Sequence, residues 1–338
     1  MKIPEARKLP SGSWFVRVVV DGKRVSITKP TKKEAEQAAA AIKAGEKKIQ
    51  LHSKLTVEQA AKLYVESRQN VLSVSTVASY NKIIKGRFQK AMKLCIDDIT
   101  QDQWQRFVNA EAKLCSAKTL HNAWGFMSSV IAEQTGTRIT VRLPQVVHKE
   151  AHYISSSDMK KFLAALKGNK YEIPILLGLS GLRRSEIMDV RWEDIDMDAG
   201  VIHVRGAAVI DKDNNLIHKK ENKNSSSRRT VHFILPQLRA AVLSADKSRE
   251  YVADCYPNTL NVVTQRVCEQ AGIPKCTTHG LRKSFASIML VDLKQPEQVV
   301  MKEGGWSDPQ TMHKIYTQVS DQHLMETGKQ MEELFKKW

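Results

Sequence analysis

Residues 179–196, LSGLRRSEIMDVRWEDID, follow a helical run and lead into a stretch whose period changes. Val201–Ile210, the turn-prone DKDNN at 211–215, and the runs around 216–221 and 229–234 read as one small antiparallel sheet. Upstream, Ser157 to Leu166 reads as a capped helix stopped at Gly168, and helices resume after the sheet. The third segment is therefore mainly helical around a small sheet.

Further upstream, residues 54–136 keep a 3.6-residue period, with N-caps expected at Thr56, Ser75, Thr100 and Ser116 and a stop at Gly136. That is a compact helical bundle. Its second helix, STVASYNKIIKGRFQK, carries Lys82, Lys85, Arg87 and Lys90, enough charge to follow a phosphate backbone or simply to solvate a face. Residues 137–154, TRITVRLPQVVHKEAHYI, lack that period, contain a proline and suit an extended linker. At the start, WFVRVVV (14–20), Asp21-Gly22 and Val25 to Thr28 read as a hairpin; Thr31 and Glu34 then form a capping-box pattern before an Ala-rich helix to about 48. Arg17, Lys23 and Arg24 on these strands suit phosphates, or guard an exposed strand against edge pairing.

Of the 338 residues, 53 are Lys or Arg and 36 are Asp or Glu, a formal charge of +17. Such an excess favours a polyanion, because each neutralised phosphate releases counterions. The basic excess is +7 over residues 1–50, +6 over 51–150 and only +4 over 151–338. The first 150 residues hold most of the attraction, and the rest reads as an enzyme body. No apolar run approaches the roughly 20 residues of a spanning helix, and the N-terminus lacks a signal-peptide core. Cys95, Cys115, Cys255, Cys268 and Cys276 are scattered without a C-x-x-C pair, as for reduced cytosolic thiols. No glycine-rich nucleotide loop appears.

Four pieces of the third segment stand out in order: Gly181-Leu182-Arg183-Arg184-Ser185-Glu186; Lys223 in a polar hairpin ahead of Ser-Ser-Ser-Arg-Arg; His279-Gly280-Leu281-Arg282; and Gly304-Gly305-Trp306, with Trp306 ten residues before Tyr316. The order resembles the catalytic domain of the tyrosine recombinase (phage integrase) family, whose pattern is Arg, Lys, His-x-x-Arg, His or Trp, then Tyr. The resemblance implies a multidomain α+β chain. Residues 1–50 would be an arm-type DNA-binding domain of one small sheet plus a helix, and 54–140 a helical, SAM-like core-binding domain. A linker over 141–154 would lead to the catalytic domain at 155–320 and a trans-docking tail at 321–338. It further implies double-stranded DNA as substrate at core and arm sites and a homotetramer on DNA. DNA-bending or directionality proteins are expected accessories, with no cofactor, metal or membrane, in the cytoplasm of a bacterial or phage-infected cell.

The chemistry asks for these residue types on its own terms. Attack on a phosphodiester spreads negative charge over its oxygens, so fixed cations must already be there. Arg183 and Arg282 supply planar, permanently charged forks. His279, three residues before Arg282, shares a helical face with it. Tyr316 is the expected nucleophile, and Trp306 carries one N–H for a non-bridging oxygen. By resemblance, Lys223 is the general acid for the leaving 5′-oxygen, with Lys219 and Lys220 as alternatives, and His279 assists the phenol proton. Glu186 is expected to hold the Arg183 helix or a neighbouring basic side chain, not the substrate, and His313 to pack. A topoisomerase-like relaxing enzyme and a catalytically silent DNA-binding protein are the competing readings. Leu324, Met331, Leu334, Phe335 and Trp338 form a broken apolar stripe that needs a surface to cover it.

Overall fold

The computed structural model describes residues 4–9, 12–20, 23–43, 55–147, 152–219, 228–232, 235–310 and 321–338. The chain divides into two compact units, 1–147 and 148–338.

In the first unit, strands β1 (Arg7–Lys8), β2 (Trp14–Val20) and β3 (Lys23–Lys29) form an antiparallel sheet in that order. Val20 pairs with Lys23, so the register brackets Asp21-Gly22, the two-residue connection the sequence marks as a turn. Val16, Val18 and Ile27 are buried with Ala35 and Ala39 of helix α1 (Lys32–Lys43), which is the alternation of an open sheet with one covered face. The Thr31 hydroxyl accepts the Glu34 N–H at 3.3 Å, capping that helix.

Helices α2 (Val57–Glu66), α3 (Val74–Gly86), α4 (Gln89–Met92), α5 (Gln101–Ala112) and α6 (Ala117–Thr135) share a second core. Trp104 and Trp124 meet edge-on at 5.7 Å, and Tyr80 stacks on Phe126 at 4.2 Å. Thr56, Thr100 and Ser116 cap their helices, and Gly136 ends α6 at φ 69°. The expected cap at Ser75 falls instead at Ser73: the Val71 and Leu72 N–H groups close a turn on Arg68 O, and this delivers Ser73 to the helix start. The segment after Gly136 is extended but not free. Ile139, Val141 and Leu143 pack on the helical core, and the Gln105 amide brackets Arg142, accepting its N–H at 2.7 Å and donating to its carbonyl at 3.0 Å.

The second unit centres on α8 (Glu172–Leu179), apolar and buried from Pro174 to Leu179. Around its core lie α7 (Ser156–Leu166), α9 (Arg184–Ile187), α10 (Pro236–Leu243), α11 (Pro257–Gln270) and α12 (Thr278–Ser287), with α13 (Glu297–Gly304) following. Gly178 lets α12 close in, since a Cβ there would sit 3.0 Å from Leu281 Cδ1. The cap of α7 is Ser155, two residues before the expected Ser157, because the Ile154 N–H is held by Ser284 Oγ at 2.7 Å.

The single sheet expected here is two. Strands β4 (Ile195–Asp196), β5 (Val201–Val204) and β8 (Arg229–His232) pair in that order, while β6 (Ala207–Ile210) and β7 (Leu216–Lys219) form a separate hairpin. The break falls at Arg205-Gly206. Any side chain at Gly206 would collide with the Asp189 carboxylate and the Lys219 carbonyl. Asp189 Oδ1 also meets His218 Nδ1 at 2.7 Å, and the imidazole stacks on Tyr251 at 3.9 Å, so the hairpin is tied to the end of α9 instead of extending β5. A final helix spans Asp321–Phe335. All five cysteines are free thiols. Among the described residues no helix is long and apolar enough to cross a membrane.

Candidate active site

Three turns of the second unit carry the candidate groups. At the first, Gly181 (φ 87°) leaves α8 where a Cβ would meet the Phe285 ring at 2.9 Å, so only glycine fits. Arg183 follows in extended conformation as the N-cap of α9, and Glu186 accepts its N–H at 2.8 Å. The second is the start of α12, where Thr277 Oγ1 accepts the Gly280 N–H at 3.2 Å. His279 is exposed, Leu281 enters the core, and Arg282 lies beneath at 2% exposure. The third is the end of α13. Gly304 has no room for a Cβ beside the Trp306 ring, and Gly305 turns the chain at φ 70°.

These turns meet through the arginines. Arg183 donates to Glu186 Oε1 at 2.7 Å and to the Gly305 carbonyl. Arg282 donates to the carbonyls of Gly181 and Gly304, the latter at 2.6 Å. Its guanidinium lies 3.7 Å from the Trp306 ring centroid, and Trp306 stacks in turn on Phe285. Arg282 Nη2 is buried with no partner among the described residues. Burial, then the charge of Arg183, draws Arg282 down to about 9, with Glu186 pulling the other way. The site thus holds a cation at a cost, which an arriving anion relieves.

Glu186 has the structural role expected of it. It is 2% exposed. Burial pushes its carboxyl up, but the hydrogen bonds and charge of Arg229, then of Arg183, outweigh burial and hold it below the usual range. Arg229 is the residue the sequence reading missed. The available signal was alternation: in Arg229–His232, Val231 is fully buried, so Arg229 lies on the core side of the strand, where a charge needs a partner.

His279 falls below the ordinary imidazole range, through desolvation against the domain and then the charges of Lys283 and Arg282. Its neutral form is favoured at neutral pH, as a proton acceptor requires. Lys219 lies half-buried at the end of β7. Lys220, Lys223, His313 and Tyr316 lie outside the described residues.

In the first unit, Lys82, Lys85 and Lys90 are exposed. Arg87 faces Glu111 at 3.6 Å, while Glu111 accepts the N–H of Phe88, a non-glycine residue at φ 52°. Arg87 is thereby tied to the bundle. Arg17 is exposed on the sheet, donating to Ser26 Oγ at 3.3 Å, and it flanks the Phe15 ring together with Arg7. Lys23 and Arg24 belong to β3, and their side chains lie outside the described set.

The phage integrase family matches residues 152–323. The chain is 24% identical over 315 residues to a tyrosine recombinase XerC-like protein of Caldanaerobacter subterraneus subsp. tengcongensis, covering 80% of this chain and 79% of that one. It is 22% identical to the integrase of Salmonella phage P22, spanning 58% of this chain and about half (51%) of the phage protein. Among solved structures, the Tn1549 transposon integrase in complex with transposon right end DNA superposes with TM-score 0.64 at 16% identity, over 83% of this chain and 99% of that one. A lambda integrase dimer bound to a core site gives 0.56 at 16% identity, over 92% and 94%. The mixed fold of helices and small antiparallel sheets is shared with both. The matched span covers Arg183, His279, Arg282, Trp306 and Tyr316 alike, and with it the chain belongs to the phage integrase family of tyrosine recombinases.

Proposed function

We propose that this chain is a site-specific DNA recombinase that integrates or excises a mobile element through a 3′-phosphotyrosine at Tyr316. The observation that carries the reading is the convergence of Arg183 and Arg282 on the Gly304–Gly305 turn, with Trp306 beneath Arg282. Two guanidinium groups reaching one turn form a receptor for a phosphate that gains charge as it reacts. The Tyr316 oxygen attacks the scissile phosphorus while its proton passes toward His279. The bond from phosphorus to the 5′-oxygen breaks, and that oxygen takes a proton from Lys223. A 5′-hydroxyl of another duplex then reverses the step. The phosphotyrosine conserves the phosphodiester bond energy, so neither metal nor ATP is required. Labelled duplexes incubated in EDTA without ATP are expected to give covalent adducts and recombinant junctions. Relaxation without junctions would indicate a topoisomerase instead, and cleavage that is lost in EDTA a metal nuclease.

Lys223→Ala is expected to slow cleavage of ordinary DNA by about a hundredfold or more. A 5′-bridging sulfur should restore it, since a thiolate leaves without a proton. Failure of that rescue would move the general-acid role to Lys219 or Lys220.

DNA contact extends to the first unit. The open sheet face, with Arg17 and Arg7 on either side of Phe15, suits an arm site, and Lys82, Lys85 and Lys90 suit the core-site backbone. Accessory DNA-bending or directionality proteins are expected to act on the assembled complex.

The tail is assigned to assembly. Met331, Leu334 and Phe335 are exposed on the final helix and Trp338 is 85% exposed, which suits docking on a neighbouring subunit. The solved lambda integrase is a tetramer on a Holliday junction, and a homotetramer on DNA is proposed here. Truncation at about residue 322 should leave a folded protein that cleaves a single site yet fails to assemble. A truncated chain that recombines at the full rate excludes trans docking, and one that unfolds shows packing in cis.

A further inference from the structure

Glu186 is buried, and two guanidinium groups compete for its charge. Arg229 offers the better geometry, a fork with Nη1 at 3.2 Å from one carboxylate oxygen and Nη2 at 3.0 Å from the other. Its Nε donates to the Glu303 carbonyl at 2.8 Å, and its side chain is only 6% exposed. All three Arg229 nitrogens are thus engaged inside the domain, whereas Arg282 keeps Nη2 without a partner among the described residues. Arg183 places a single nitrogen on the same carboxylate, and its side chain is 37% exposed. The arrangement separates two roles, with Arg229 inside balancing the carboxylate and Arg183 outside keeping its charge.

We infer that Arg229 is a positioning residue for Arg183: it neutralises Glu186 so that the Arg183 charge remains available to the scissile phosphate. This rests on the reading of Arg183 as a phosphate cation given above. Three guanidinium groups and one carboxylate leave two net positive charges at the site, as the phosphate requires. Without Arg229, Glu186 must draw its counter-charge from Arg183, its remaining hydrogen-bonded guanidinium, and from nearby Arg282, and the field at the phosphate falls. A second route runs through the backbone. The Arg229 guanidinium lies under Gly305, whose absent Cβ would meet Nη1 at 2.8 Å, and the Gly305 carbonyl is the other anchor of Arg183. Strand β8 is fixed to α13 on the same side, where the His232 N–H donates to Glu303 Oε1 at 2.6 Å.

The test compares two nicked suicide duplexes, one with an ordinary scissile phosphodiester and one with a neutral methylphosphonate there. The readout is the rate of covalent adduct formation. Arg229→Met is expected to slow phosphodiester cleavage by about ten- to a hundredfold. On the methylphosphonate, which has less charge to neutralise, the loss should be at least about tenfold smaller. Arg183→Ala, the control, should show the same selective relief. If Arg183→Ala is relieved but Arg229→Met loses both substrates equally, Arg229 only holds the fold and the inference fails. If Arg183→Ala itself shows no relief, the phosphate reading of Arg183 fails and takes the inference with it. Should Arg229→Met not fold by circular dichroism, the double variant E186Q/R229M, which leaves no buried charge unpaired, takes its place. It should cleave the phosphodiester within about tenfold of wild type; a folded double variant with a larger loss overturns the inference.

Discussion

Tyr316→Phe is expected to bind its DNA with wild-type affinity and to form no covalent adduct on a nicked suicide substrate. The substitution removes one oxygen and keeps the ring, so any packing by the side chain survives while the atom that must bond to phosphorus is gone. No neighbouring group can substitute at comparable rate, because the phosphotyrosine requires a phenolic oxygen aligned opposite the leaving 5′-oxygen. The expected loss is complete within the sensitivity of a denaturing gel, with mobility shifts unchanged. A persistent adduct would place the nucleophile elsewhere. Weakened binding with no adduct would instead make Tyr316 part of the DNA surface.

The second large effect is expected at Arg282. Arg282→Met should reduce adduct formation by about a thousandfold or more, since it removes a fixed donor and a full charge from the transition state. Stability should barely follow. Burial and the neighbouring Arg183 charge draw the guanidinium well below its ordinary range, to about 9, so holding the charge in place costs free energy. Methionine removes that cost while leaving the carbonyls of Gly181 and Gly304 without their donor, a penalty of about 1–3 kcal/mol each. The two sides offset, and denaturant midpoints should place the variant within about 2 kcal/mol of wild type. Arg282→Lys keeps charge without the fork and should still lose about a hundredfold. Retained cleavage in Arg282→Met would remove Arg282 from the site. A collapse of stability by about 4 kcal/mol or more would make its main role structural.

The helical bundle and the Thr56, Thr100, Ser116 and Gly136 termini were legible in the sequence because each depends on residues within one turn of itself. Ser75 and Ser157 failed as caps for a non-local reason at one and a preceding turn at the other. Ile154 is fixed by Ser284, 130 residues away, and the turn closing on Arg68 sets Ser73. Arg87, read as either a backbone contact or part of a solvated face, lies 3.6 Å from Glu111 of another helix, a pairing its own helix does not reveal.

The same division holds at the site. Arg183, His279, Arg282, Trp306 and Tyr316 were proposed from the sequence because their order resembles the tyrosine recombinase pattern, and of these the structure brings Arg183, Arg282 and Trp306 to one turn. Tertiary structure alone decided how the charges are shared. Arg229 reaches Glu186 across 43 residues of sequence, and Arg282 finds its carbonyls at Gly181 and Gly304 on two separate turns. The sheet divides at Gly206 because Asp189 claims His218. Local propensity carries no information on which buried charge meets which. That choice is made when burial removes water and each ionised group must find its partner among whatever the fold brings alongside.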